Sequence, residues 1–380
     1  MGQWLKLHMI DCLIYVEDPG AVNFIINLPK LFSDNGYKTV ILANGASCQY
    51  LDTKGVAYAN VEAKKPKEIL EFYKPDVFLE GTTENPDSLG LILTNQAKLV
   101  NIMTIGYIDM YCNASRRFKG RSNNPLFYCP EVLLVPDINT KDAYINLGCN
   151  NDNVIITGHP HYEAVHKWGK QVSKVDRQLL RNKIFPKAAN DKLVVVFISE
   201  VRGLVNESLN ESASLKNDKY SFVGRGDSNF RTVIILEELI DGLLDANLKA
   251  HIVLRLHPRD NKLDYANIIN ELDQVSTVEK PLEVVLAADL VVGMTSMLLL
   301  EASILKIPTL SMLPIEREKK WMPNTLSGVT VVVSSREELV SALKSKTLCQ
   351  VKKNSISTKD SLDNVFSCVK KYIKKNNESL

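Results

Sequence analysis

Three groups of residues in this sequence have the types and spacing to act on a phosphorylated substrate. Arg255, His257 and Arg259 alternate along Arg255-Leu256-His257-Pro258-Arg259-Asp260. In an extended segment residues two apart share a face, so two guanidinium groups and an imidazole would converge as donors for a pyrophosphate. Gly293-Met294-Thr295-Ser296 forms the second group, between an apolar run and an apolar helical stretch that ends near Leu305. Gly293 would let a ligand approach the backbone. The hydroxyls of Thr295 and Ser296 would join the free N–H groups of a helix start, which attract phosphate. Within the helical stretch Glu301 is the lone carboxylate. A buried charge needs a partner: an Arg or Lys, water at the outer edge of the helix, or a ribose diol that donates to it.

The third group is acidic. Glu17 and Asp18 follow the apolar run Leu13–Val16, Glu80-Gly81-Thr82-Thr83-Glu84 follows Val77–Leu79, and Asp109 lies in a segment from Tyr107 to Phe118 that also holds Arg116 and Arg117. A carboxylate held beside a substrate can take the proton of an attacking hydroxyl. This makes Asp109, Asp18 and Glu17 the candidate catalytic residues. Gly20, Thr82, Glu84 and Arg117 are candidates for contacts to an acceptor or sugar, and Ser199, which closes Leu193–Ile198, joins the phosphate-binding candidates. Each acid has a plainer reading as well: Asp18 as a helix cap, and Asp109 as a partner of Arg116 or Arg117.

The elements that must carry these residues alternate between strand and helix. Short apolar runs at Leu13–Val16, Thr39–Leu42, Val77–Leu79, Leu99–Met103, Val132–Val135 and Val154–Ile156 alternate with helical patterns, the rhythm of a parallel sheet. Thr157-Gly158-His159-Pro160-His161-Tyr162 and a helix to Trp168 end the first half, and the pair of histidines without a third ligand is a weak metal signal. After a polar helix at Lys170–Lys183 and a break at Pro186–Asp191, the rhythm restarts with Leu193–Ile198, Ala250–Leu254, Val275–Glu279, Pro281–Ala287, Leu290–Val292 and Gly328–Val333. A long polar loop is expected at Gly203–Gly226 and a solvated loop with internal ion pairs at Ile315-Glu316-Arg317-Glu318. In doubly wound sheets ligands gather beyond the C-terminal strand ends, where all three groups fall.

With 380 residues, the chain suits more than one core. The expected division is residues 1–165, a linker at 166–191, a second domain at 192–350 and a terminal helix in 351–380. Lys+Arg 46 against Asp+Glu 44 leaves a net charge of +2, which argues against nucleic acid as a partner. The seven cysteines form no CxxC pair, so neither a zinc site nor a disulfide framework is expected and a reducing cytoplasm fits. No apolar run reaches the length of a membrane span. Lys370, Lys371, Lys374 and Lys375 flank a helix bearing Val365, Phe366, Val369 and Ile373. That helix either touches an anionic membrane surface or packs its apolar face on a domain.

The run ADLVVGMTSMLLLEASILKIPTLSM, together with His257-Pro258 at a strand end, resembles the donor-nucleotide region of GT-B glycosyltransferases and of their relatives, the hydrolysing UDP-N-acetylglucosamine 2-epimerases. The Thr157-Gly158-His159-Pro160 segment resembles the piece that closes their first domain, and Ile315–Glu318 resembles an epimerase loop. The resemblance implies two doubly wound, Rossmann-like α/β domains facing an interdomain cleft, and no cofactor or catalytic metal. It implies a UDP-, CMP- or CDP-linked sugar donor held by Arg255, His257, Arg259, Gly293, Thr295, Ser296, Glu301 and Ser199. A glycan or lipid-linked acceptor would lie on the first domain, in surface-polysaccharide synthesis, with a homodimer and peripheral membrane contact left open. Asp109 falls near an epimerase glutamate, but the His and Glu-Ala-Gly around that residue are missing here. The alternatives are a hydrolysing epimerase and a non-catalytic nucleotide-sugar-binding subunit.

Overall fold

A computed structural model describes residues 10–61, 65–109, 113–200, 221–226, 228–257, 260–315, 318–319, 330–345 and 359–374. Among these residues the chain forms two parallel sheets with helices between successive strands. Two compact units divide it, one of residues 1–164 with 356–380 and the other of residues 165–355.

The first sheet holds β1 (Cys12–Val16), β2 (Thr39–Ala43), β3 (Ala59–Asn60), β4 (Val77–Gly81), β5 (Met103–Tyr107), β6 (Val132–Val135) and β7 (Val154–Ile156), in the order β3-β2-β1-β4-β5-β6-β7. Its helices are α1 (Pro19–Ile25), α2 (Leu28–Asp34), α3 (Ala46–Lys54), α4 (Pro66–Tyr73), α5 (Leu89–Leu99), α6 (Ala114–Arg117) and α7 (Ile138–Asn146). The chain passes to the second unit within α8 (Pro160–Gln171), and α9 (Lys174–Ile184) follows. The second sheet holds β8 (Leu193–Ile198), β9 (Ala250–Arg255), β10 (Gln274–Ser276), β11 (Leu290–Gly293), β12 (Thr309–Met312) and β13 (Val331–Val333), in the order β10-β9-β8-β11-β12-β13. Its helices are α10 (Arg231–Asp245), α11 (Pro281–Ala287), α12 (Met297–Ile304) and α13 (Arg336–Lys344), and α14 (Ser361–Lys370) ends the described chain.

The central strands are apolar because both faces of each sheet are covered; β1, β4, β6, β11 and β12 are buried at every position. In both sheets the strand order reverses direction, between β1 and β4 and between β8 and β11. A crevice opens beyond the C-terminal strand ends at such a switch point.

Several boundaries differ from those expected. Leu99 ends α5 and the strand starts only at Met103. A short apolar run reads alike at a helix end and in a strand, and here Leu99 and Val100 are exposed at 69% and 55%. Asn101, at φ 56°, turns the chain between the two elements. Glu80 and Gly81 belong to β4 rather than to the loop after it. Pro281–Ala287 is a helix, begun by a proline whose missing N–H costs nothing there. Glu318 is not solvated: it is fully buried and paired with Arg231 at 2.7 Å. Glu316, Arg317 and most of the loop at 203–226 lie outside the described residues.

Helix α14 packs against α2 in the first unit. Val365 and Val369 are completely buried, and Phe366 meets Phe32 edge-on with ring centroids 4.9 Å apart. Burying each such side chain contributes about 1.5–3 kcal/mol, so the apolar face of this helix is spent on the core. No helix among the described residues is long and apolar enough to cross a membrane.

Candidate functional site

In the first unit, β1, β4 and β5 are neighbours in the sheet, and the residues that follow them meet at its C-terminal edge. Arg117, on α6, reaches Asp109 at 2.9 Å and also donates to the Thr82 hydroxyl at 2.9 Å. Its side chain is only 5% exposed. A buried guanidinium in this position needs its carboxylate, because removing one partner leaves the other charge uncompensated.

Asp18 occupies the N-cap position of α1, yet its side chain makes no capping bond. The plain reading of Asp18 as a helix cap therefore fails. Its carboxyl titrates above the usual aspartate range because it is largely buried; a hydrogen bond from Thr83 opposes this shift, the negative charges of Glu17 and Asp109 add to it, and Arg117 opposes it. Two neighbouring carboxylates thus have different environments, Asp109 held against a cation and Asp18 desolvated.

Glu17 is pinned by three donors: the Tyr15 hydroxyl at 3.0 Å, the Asn85 amide at 2.6 Å and the Ser88 hydroxyl. These bonds tie the end of β1 to the loop between β4 and α5. Gly20 stands against Asp109: a Cβ there would lie 2.3 Å from an Asp109 carboxylate oxygen. The absent side chain makes room for the acid. Gly20→Ala would push the Asp109 carboxylate off its buried partner Arg117, so the variant is expected to melt at a lower temperature than the wild type. Thermal unfolding scans of the wild type and the variant check that expectation. Glu84 is exposed and accepts from the Asn113 amide at 2.8 Å.

Beneath this cluster Glu80 is buried on β4, in register with Tyr15 on β1. Burial pushes its carboxyl up to about 8, with Thr94, which donates a hydrogen bond, and the nearby Lys98 opposing the shift. Gly90 on α5 leaves the space that Glu80 and Tyr15 fill, since a Cβ would come within 2.8 Å of both. The sequence pattern puts Glu80 in the loop after Val77–Leu79; the continuation of β4 through Gly81 is what encloses it.

In the second unit the equivalent edge collects residues from β8, β9 and β11, again adjacent in the sheet. The Ser199 hydroxyl, after β8, accepts the backbone N–H of His257 at 2.7 Å, which fixes the start of the His257 segment. Tyr265 hydrogen-bonds Asp260 at 2.9 Å and reaches toward Ser199 and Thr232. Arg255 is turned inward: it donates to Ser276 at 2.9 Å and lies 3.8 Å from Glu279. Burial lowers the pKa of its guanidinium and Glu279 partly offsets this. Arg259 lies outside the described residues.

Ser296 is the N-cap of α12 and its hydroxyl oxygen accepts from Leu298 N–H at 3.3 Å. The backbone N–H and the hydroxyl of Thr295 both bond to the carboxylate of Glu200, the hydroxyl at 2.9 Å. Gly293 is buried, and a Cβ there would be in van der Waals contact with Leu299 and Ile198 at 3.5 and 3.6 Å. Glu301 is half-buried on α12. Glu200 is the residue that sequence reasoning passed over, although it occupies the same position after its strand as the acids of the first unit.

His159 is buried and stacks on Tyr162 with centroids 4.0 Å apart; burial and the neighbouring His161 hold its pKa well below the usual range. Among the described residues no group of three or more His, Cys, Asp or Glu side chains could hold a metal ion.

No sequence family and no curated protein matches this chain by sequence. Solved structures do match it by shape. UDP-GlcNAc 2-epimerase from Neisseria meningitidis, bound to UDP-GlcNAc, superposes with a TM-score of 0.64 at 14% identity over 95% of this chain and 100% of that one. A glycosyltransferase from Rickettsia africae gives 0.61 at 11% identity, over 97% and 99%. The wall teichoic acid polymerase TagF gives 0.57 at 15% identity, over 99% and 91%. The fold is therefore that of GT-B proteins, two Rossmann-like domains.

Proposed function

We propose that this chain is a glycosyltransferase that takes a sugar from a nucleotide-activated donor, with Asp18 as the base that removes the proton of the acceptor hydroxyl. The observation that carries this reading is the environment of Asp18. It is an uncapped, largely buried carboxylate with a raised pKa, beside an Asp109 that Arg117 keeps occupied. A general base works best when its pKa approaches the working pH, and pairs of acids whose environments differ commonly divide the roles. Arg117 and Thr82 position Asp109, and Glu17 positions the end of β1.

The second unit is assigned the nucleotide. Its turn after β11 and the His257 segment offer backbone and side-chain donors at a switch point, the place where α/β sheets bind nucleotides, and Glu301 is the candidate for the ribose. Developing negative charge on the leaving phosphate would be stabilised by such fixed donors. Structural neighbours that bind UDP or UDP-GlcNAc support the same assignment. A surface glycan as product, and contact with a lipid-linked acceptor, belong to this reading too.

The test is a thermal-shift panel of CMP, CDP, UDP, GDP and dTDP on the wild type and on His257→Ala. A nucleotide at 100 times its Kd should stabilise the protein by about 2.7 kcal/mol. One nucleotide that raises the melting temperature of the wild type and not of the variant is the expected result. No shift with any nucleotide would remove the donor assignment.

The paired acids Asp18 and Asp109 also favour a second reading, a hydrolysing 2-epimerase, because moving a hydrogen between faces of a sugar carbon needs one group to take a proton and another to return it. Incubation with UDP-GlcNAc and no acceptor separates the two: release of free N-acetylhexosamine identifies the epimerase.

A further inference from the structure

We infer that Glu200 is a built-in competitor for the donor phosphate: its carboxylate takes the Thr295 donors of the turn after β11 and must be exchanged for the ligand's anion when the nucleotide binds. This inference rests on the nucleotide reading of the second unit and adds a residue that controls it.

β8 and β11 lie side by side, with Val292 in register with Phe197, so Glu200 and Thr295 emerge from neighbouring strand ends. One carboxylate oxygen of Glu200 accepts the Thr295 N–H and the other accepts the Thr295 hydroxyl at 2.9 Å. The Glu200 carbonyl in turn accepts from Thr232 at 3.4 Å. These bonds place an anion with two acceptor oxygens where the turn after β11 presents its donors. A carboxylate there has the charge and the bidentate geometry that a phosphate would bring.

The open part of the turn is Thr295-Ser296, both half-buried, whereas Gly293 is buried and packed, a Cβ there meeting Leu299 and Ile198 at 3.5 and 3.6 Å. Thr295 cannot give the same N–H and the same hydroxyl proton to two anions, and two like charges in one cradle repel each other. Occupancy by Glu200 and by a phosphate is therefore exclusive. The apparent affinity for the nucleotide is reduced by the fraction of time that the cradle is filled. The ligand class that follows is a polyanion such as a nucleoside diphosphate, which gains more from these donors than a single carboxylate does. An uncharged sugar alone would not displace Glu200.

Isothermal titration of UDP, CDP, GDP, dTDP and inorganic pyrophosphate into the wild type, Glu200→Gln and Glu200→Ala tests this. Glu200→Gln keeps the shape and one acceptor without the charge, and Glu200→Ala vacates the cradle; far-UV circular dichroism checks that each folds. Couplings of this kind amount to about 5- to 150-fold, so at least one probe should bind both variants about fivefold tighter or better. Binding seen only in the variants supports the inference equally. If a nucleotide binds the wild type and its affinity is unchanged or weaker in both variants, Glu200 is no competitor and the nucleotide reading stands without it. If no probe binds any of the three proteins, the nucleotide reading fails and takes this inference with it.

Discussion

Replacing Asp18 by Asn is expected to lower the rate of sugar transfer by about 10²- to 10⁴-fold, the usual contribution of a general base, while leaving nucleotide affinity unchanged. Asn has the same shape and can keep the hydrogen bond from Thr83, so loss of the proton acceptor is the principal change. The pH profile gives a second readout. Because burial raises the Asp18 carboxyl above the ordinary aspartate range, kcat of the wild type should fall as the pH is lowered through that raised value, and the residual rate of the variant should lack this limb. Nucleotide release from the donor identified by the panel measures both. A variant that transfers at the wild-type rate would move the base to Asp109, and Asp109→Asn is then the next substitution to measure. If neither substitution slowed transfer, the reading as a non-catalytic subunit would gain.

Glu80 gives the second large effect, on stability. Its carboxyl is held at about 8 by burial in the folded protein, against 4.5 for the free group. Between those values the folded chain keeps a proton that the unfolded chain has released, so stability falls as pH rises. The stabilising contribution is complete below about pH 4.5 and is lost as the pH approaches 8. The loss inside that window is on the order of 1 kcal/mol per pH unit. Glu80→Gln removes the titration. Urea unfolding at pH 5, 6, 7 and 8 should show the variant gaining on the wild type with each step, by on the order of 1 kcal/mol per unit. A difference between the two proteins that does not change with pH would mean that Glu80 is already ionised in the folded chain.

These two acids were unequally visible in the sequence. Asp18 stands just after an apolar run and before a helical pattern, the position at which a parallel sheet presents ligand-binding residues. Glu80 also stands at the end of an apolar run, but the strand continues through it, and only the packing of α5 across β4 shows that it is enclosed. Arg255 shows the opposite limit. Alternation with His257 suggested a shared face, yet the guanidinium is used by Ser276, at the end of the neighbouring strand, and by Glu279 in the loop after it, because the end of β9 is still inside the sheet at that point.

The sequence by itself determined the layered α/β architecture, since strands covered on both faces must be apolar and polar residues are forced to the strand ends. It also placed the candidate residues at those ends and left no charge imbalance suited to nucleic acid. The tertiary structure alone decided which strand ends are neighbours. The orders β1-β4-β5 and β9-β8-β11 bring Asp18 to Asp109 and Glu200 to Thr295, and the return of α14 to α2 completes the first core. Local periodicity reports which face of an element is buried. It carries no record of which distant element covers that face, and that pairing sets the partners, and so the chemistry, of each acid.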